Sequence, residues 1–303
     1  MTTLNKFKND IQSHILSTLP RDPSDDAELA AMDTASLLIT YINWSRRIPP
    51  WRPRHVLESA EIIANPLRTS TDYGARYVDL IEKIKRGDDL TERLSRRIGI
   101  GYKTPTTPGR FNKNREDLDL LLNDWDVHHL HFDATGTEML VFIQFAGDVA
   151  FLINIYDHSS WTKREIAEII IENWPASSFV REIPGIIAAP NHSDAERALL
   201  RNSGIASLFI PFKGKTYVIG TAGVTSAGTS AFATMQANWL MKTIAEWSSA
   251  IHSDPEFMPN KIRAAGRKTE STLDLEFVFM PNHHYGIGER SSGTLFRLTQ
   301  GPL

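Results

Sequence analysis

In the stretch NDWDVHHLHFD, residues 123–133, three histidines fall within four positions, and another, His158, follows in YDHSSW. An imidazole titrates near pH 6.5, so it can give or take a proton within one turnover at neutral pH. Read as a strand, VHHLHF puts Val127, His129 and His131 on one face and His128, Leu130 and Phe132 on the other. The pattern predicts a partly buried His128 and presents His129 and His131 together. A pair of imidazoles can cleave RNA without a metal: one removes the 2′-hydroxyl proton and the other protonates the departing 5′-oxygen. His158 ends the third strand of the same predicted sheet and would face the pair if the first and third strands are neighbours.

Two other uses of these residues stay open. Histidines clustered in a half-buried strand are often held by hydrogen bonds as structural groups. HLHFD also has the form His-x-His-x-Asp, with His129, His131 and Asp133 spaced as in zinc hydrolases. Those families place a further histidine directly after the aspartate, where this chain has Ala134.

The elements that must position these side chains are legible in part. DAELAAMDTASLLITYINWSRR has helical spacing of Leu29, Met32, Leu37, Leu38, Tyr41 and Ile42, and it stops at IPPWRPRH, where prolines forbid continuation. DYGARYVDLIEKIKRG predicts a helix closed by Gly87, with a shorter one after it. GYKTPTTPGRFNKNRED is a loop, and a boundary is expected near residue 104. Beyond it the period changes. LDLLLNDW is a short helix; VHHLHF, EMLVFIQF and VAFLINIYDH are strands, the last two joined through a tight AGD connection. TKREIAEIIIENWP returns to helix, with Thr162 and Glu165 at capping-box spacing. SDAERALLRNSG has the same signal at Ser193 and Glu196, with Gly204 as its stop. ASLFIPFKGKTYVIG predicts a hairpin about KGK, the segment from Thr225 to Ile251 a turn feeding a long helix, and LDLEFVFM one more strand.

Bulk properties bound the class. Of the 303 residues, 41% are hydrophobic and 23% charged, enough to bury a real core, and the net charge of −3 announces no polyanion or membrane partner. The absence of cysteine excludes disulfides, thiolate metal sites and a cysteine nucleophile. No stretch reaches the ~18 apolar residues of a membrane span, and a cytoplasmic protein is expected.

Residues 119–175 resemble the small RelE/ParE-type toxin fold, part of a wider group of ribonucleases that includes barnase-like and EndoU-like enzymes. VHHLHFDATGTEMLVFIQFAGDVAFLINIYDHSSW carries the resemblance: a His-bearing strand, a strand of the "yRvif" kind, a short turn, and a strand ending in Asp-His. The arginine such toxins carry in the second strand is missing from MLVFIQF. The resemblance therefore implies that acid–base work falls to His129, His131 and His158. The remaining chain resembles uncharacterised bacterial proteins of mobile elements and phage defence.

Charge is uneven. WSRRIPPWRPRH interleaves Arg46, Arg47, Arg52 and Arg54 with Trp44 and Trp51, and a second basic run includes Arg96, Arg97, Arg110, Lys113 and Arg115. Guanidinium groups handle phosphates and indoles stack on unpaired bases, although arginine stems packed on tryptophan produce the same pattern. GTAGVTSAGTSAF lacks the Gly-Lys-Ser/Thr of a Walker loop. It reads as a capped connection more readily than as a phosphate cradle.

These observations predict an α+β protein in three regions. Residues 1–104 form a helical, basic part, 105–190 a small antiparallel sheet with flanking helices and the histidines, and 191–303 an α/β part. The leading expectation is a metal-independent ribonuclease of toxin or phage-defence type. It needs no cofactor, and an antitoxin or defence-system protein is a possible partner. His129, His131 and His158 would do the chemistry while Arg46, Arg47, Arg52, Arg54, Arg96 and Arg97 bind RNA. The rival is a non-catalytic module that binds nucleic acid or protein with structural histidines, and a zinc hydrolase ranks third.

Overall fold

The computed structural model describes residues 2–105, 116–186, 192–206, 208–220 and 223–298. Most of the GYKTPTTPGRFNKNRED loop, with Arg110, Lys113 and Arg115, lies outside the described residues. The mixed class expected from the sequence is present: α+β, with small sheets between helices.

The chain begins with α1 (Thr3–Thr18), which buries Phe7, Ile11 and Ile15, one residue per turn on one face. The next helical stretch is two helices, α2 (Asp26–Ala31) and α3 (Thr34–Ser45). The break falls at Asp33, which has extended backbone and caps α3 by accepting the Ser36 N–H at 2.9 Å. After the prolines come β1 (His55–Glu58), α4 (Ala60–Ala64) and α5 (Gly74–Arg86). Gly87 closes α5 in the left-handed region, at φ +78°. A Cβ there would also lie 2.3 Å from the Arg52 carbonyl carbon. Gly87→Ala is therefore expected to destabilise the protein by about 1–3 kcal/mol, read as a lower urea midpoint at unchanged slope. An unchanged midpoint would show that the loop shifts freely. The shorter helix expected next is a pair of 3-10 turns, Thr91–Arg93 and Arg96–Gly99.

The central elements follow the expected order: α6 (Leu120–Trp125), β2 (Val127–His131), β3 (Met139–Ala146), β4 (Val149–Asp157) and α7 (Arg164–Asn173). The β3–β4 turn is two residues, with Gly147 at φ +55°. The capping box expected at Thr162 and Glu165 does not form. Lys163 precedes α7 without a side-chain cap, and the Arg164 N–H donates instead to Asp194 Oδ1 at 2.9 Å. A carboxylate brought by tertiary contact replaces the local one.

The strand order is β1-β4-β3-β2, with β1 parallel to β4 and the other pairs antiparallel. Helices cover both faces. Leu130, Val141, Ile143 and Leu152 pack with Tyr77, Leu80 and Ile84 of α5, and Val127, Leu140, Phe142 and Ile153 pack with Ile166, Ile169 and Ile170 of α7. Burial on both sides explains why β3 and β4 read as near-continuous apolar runs instead of alternating.

The last third holds β5 (Val180–Glu182), α8 (Asp194–Asn202), β6 (Ile210–Phe212), β7 (Lys215–Ile219), α9 (Ala231–Ser253), α10 (Phe257–Ala264), β8 (Leu275–Met280), β9 (His284–Glu289) and β10 (Thr294–Leu298). Its strands pair antiparallel, as β5-β7-β6 and β10-β9-β8. Ser193 and Glu196 form the expected capping box, and Lys213 and Gly214, both at positive φ, turn the β6–β7 hairpin. The three sequence regions do not each close a core of their own. Phe7, Ile11 and Leu38 from the start of the chain share one with Leu240, Ile244, Phe277 and Ile287 from its end.

Candidate functional site

Asp119 is the hinge of the site. Its Oδ1 caps α6 by accepting the Leu122 N–H at 3.0 Å, while its Oδ2 lies 3.6 Å from His129 Nδ1. The helix turns into β2 at Asp126, whose left-handed backbone (φ 61°) is pinned by an ion pair to Arg46 at 2.6 Å. One short helix thus sets both the position of the histidine strand and the carboxylate facing it.

The three histidines of β2 have different fates. His128 is buried, its edge against Phe145. Its Nε2 lies 3.0 Å from the Arg46 carbonyl. A carbonyl only accepts, so Nε2 carries a proton. Burial pushes His128 down to about 4. The sign of the consequence is fixed. Between about pH 6.5 and 4 the unfolded chain binds a proton at this residue that the folded chain refuses, so stability falls as pH drops through that window, by on the order of 3 kcal/mol. His128→Gln is expected to flatten that part of the stability profile relative to wild type; superimposable slopes would count against this account.

His129 faces the other way, as the alternation requires. Its ring meets Trp161 edge-on at 4.2 Å between centroids. Burial lowers its pKa, opposed by Asp119 and reinforced by His131, Arg47 and His158. His131 and His158 stand 5.4 Å apart, and the backbone of Thr137 orients both. The Thr137 N–H donates to His131 Nδ1 at 2.8 Å, leaving the proton of the neutral ring on Nε2. The Thr137 carbonyl accepts from His158 Nε2 at 3.0 Å, leaving His158 Nδ1 open. That carbonyl is also 3.1 Å from His131 Nδ1, so a protonated His131 has a partner too. Burial and then His158 lower the His131 pKa. The first and third strands are not neighbours, since β3 separates them. His158 reaches His131 from the turn beyond β4, across the end of β3.

These groups border a cavity of about 540 Å³, lined by His129, His158, Asp119, Trp161, Arg47, Arg97 and Arg201, with Ser95, Thr162 and Asn202 among its polar walls. Arg47 is buried and its guanidinium donates to the Ile100 carbonyl at 3.0 Å. Arg96 and Arg97 are exposed on their 3-10 turn, Arg97 at the cavity and Arg96 within electrostatic reach of His131.

The remaining predicted arginines are engaged elsewhere. Arg46 is committed to Asp126 and lies 5.0 Å from the Phe232 ring centre. Arg52 donates to the Gly147 carbonyl, and Arg54, buried, sits 4.6 Å from the Phe145 ring centre and bonds Pro50 O at 2.7 Å. Burial brings Arg54 down to about 10. Gly147 and Phe145 lie at the far end of β3, about 20 Å from the His131 end for a strand of eight residues. The interleaved tryptophans divide likewise: Trp44 packs into the core and Trp51 is exposed.

The metal set does not converge. Asp133 turns away to Arg76 at 2.9 Å, and among the described residues no three His, Asp or Glu side chains are grouped as a metal would need. In the glycine-rich connection before α9, Ser230 N–H donates to Asn43 Oδ1 at 2.8 Å and the Gly228 carbonyl accepts from Asn123 at 2.9 Å. These bonds tie the connection to α3 and α6; Thr221 and Ala222 lie outside the described residues.

Asp119, Trp161 and Arg201 were not anticipated. The only trace of the last in the sequence is the one-turn spacing of Arg197 and Arg201 after the Ser193–Glu196 box; that both are buried is visible only in the structure. Searches of protein-family models, curated proteins and solved structures find no match to this chain. Among the described residues no helix is long and apolar enough to cross a membrane.

Proposed function

We propose that the chain is a metal-independent endoribonuclease of toxin or phage-defence type, acting on cytoplasmic RNA. The observation that carries the reading is that one cavity collects two histidines and several guanidinium groups, with a third histidine directly behind. His129 serves as general base. Burial lowers its pKa and favours the neutral ring that can accept a proton. It takes the 2′-hydroxyl proton as the 2′-oxygen bonds to phosphorus. The bond to the 5′-oxygen breaks, and that oxygen takes a proton from the His158–His131 pair. Arg47 and Arg97 balance the charge on the phosphate.

A non-catalytic nucleic-acid- or protein-binding module is the second reading. It is favoured by the tight packing of His129 against Trp161 and Phe142, as a core residue would pack. Purified protein incubated with total bacterial RNA in EDTA separates the two: cleavage products support the ribonuclease. Intact RNA, with salt-sensitive binding by gel shift, would replace it with the binder.

A further inference from the structure

Arg201 has no role in the acid–base scheme, yet it is a buried cation in the cavity wall. It is 2% exposed. Its Nε donates to Asp124 Oδ2 at 2.9 Å, its Nη1 donates to the Trp161 carbonyl, and its guanidinium lies 4.2 Å from the Trp125 ring centre. Its Nη2 is buried with no hydrogen-bond partner among the described residues. A buried guanidinium donor left unpaired is unfavourable unless something else accepts from it. Arg201 lines the same cavity as Arg47, also buried, and Arg97, which is exposed. Asp119 is the one carboxylate among the lining residues. Asp124, paired with Arg201, offsets a second guanidinium, so three arginines against two carboxylates leave the site net positive.

We propose that this cavity is a binding site for a phosphate monoester of nucleotide size, with Arg201, Arg47 and Arg97 holding the phosphate. A monoester carries close to two negative charges at neutral pH and a phosphodiester one, so a net positive cavity attracts the monoester more strongly. Guanidinium forks suit phosphate oxygens geometrically. A volume of about 540 Å³ falls in the range of small-ligand sites, and Trp161 with the imidazoles of His129 and His158 offers flat surfaces beside the charged end. Ser95, Thr162 and Asn202 add neutral polar groups. The ligand is a free nucleoside monophosphate or the phosphorylated end of a strand; both present the same group. Binding needs the guanidiniums and not proton transfer, so it stands whether or not RNA is cleaved.

The test is calorimetric titration of the full-length protein with adenosine 5′-monophosphate and with adenosine 2′,3′-cyclic phosphate, a monoanionic diester. The monophosphate is expected to bind about tenfold or more tightly than the cyclic compound. Arg97→Ala, at an exposed position, is expected to weaken it by about tenfold, and Arg201→Lys, checked for folding by circular dichroism, to do the same. Ten-residue 2′-O-methyl RNAs, which cannot be cleaved, with and without a 5′-phosphate, identify the source. Tighter binding of the phosphorylated strand than of the mononucleotide assigns the site to strand ends; the reverse assigns it to free nucleotides. Equal affinity for the monophosphate and the cyclic diester would overturn the proposal, as would monophosphate affinity unchanged in Arg97→Ala. Loss of RNA cleavage with binding intact would remove only the ribonuclease reading.

Discussion

His129→Ala is expected to lose RNA cleavage by about 10²- to 10⁴-fold while remaining folded. The imidazole faces the cavity, and its Nδ1 makes no hydrogen bond that the fold depends on. Truncation therefore removes the base without orphaning a partner. His128→Ala is the contrasting control. It discards the bond to the Arg46 carbonyl on the opposite face of the strand, so it should cost stability and spare the rate per folded molecule. The pH profile provides a second reading of the same residue. The base must be neutral, and burial holds its pKa below the ordinary imidazole value. Cleavage should then persist as pH falls through 6.5 and fail only further into acid. Single-turnover rates on a short RNA measure both effects. If His129→Ala cleaves at the wild-type rate, the base is elsewhere and the assignment is wrong.

Asp124→Ala is expected to destabilise the protein by about 3–5 kcal/mol, the usual cost of removing one partner of a buried ion pair. Asp124 and Arg201 have side chains only 1% and 3% exposed, so the abandoned guanidinium is poorly compensated by solvent. It lies against Trp125, the largest fully buried side chain among the described residues, which Arg197 also approaches at 5.1 Å. The same region sets α6 and hence the histidine strand, so the loss should spread to the cavity. Replacing both partners, Asp124→Leu with Arg201→Met, should recover most of the stability, since hydrophobic pairs often replace buried ion pairs at little cost. Urea unfolding at neutral pH measures all three proteins. A loss below about 1 kcal/mol for Asp124→Ala would place the pair in the class of solvated surface bridges.

Local rules carried the reading of the chain a long way. Helix α5 with its glycine stop, the Ser193–Glu196 box, the short turn at Gly147 and the facing of His128 away from His129 and His131 were all legible. Each depends on residues within about one turn or one hairpin of each other, where propensity, capping and alternation act. The exceptions are local signals overridden from outside, as at Thr162, where Asp194 takes over the capping. The closing strands β9 and β10 were not foreseen. HHYGIGE carries two glycines and no clean alternation, and it pairs because β8 and β10 lie on either side of it.

By itself the sequence determined the central helices and strands, the mixed class and the shared face of His129 and His131. Only the tertiary structure decided which charges reach the cavity. Arg46, Arg52 and Arg54 look equivalent to Arg47 and Arg97 in the sequence, but the first three are consumed by Asp126, the Gly147 carbonyl and the Phe145 face. The tertiary structure also decided that α8 brings Arg201 to the histidines, and that β1 adds to the sheet in parallel beside β4. These outcomes rest on burial and ion pairing between residues roughly 40 or more positions apart. The energy of such contacts depends on which surfaces close on each other, and no local pattern records that.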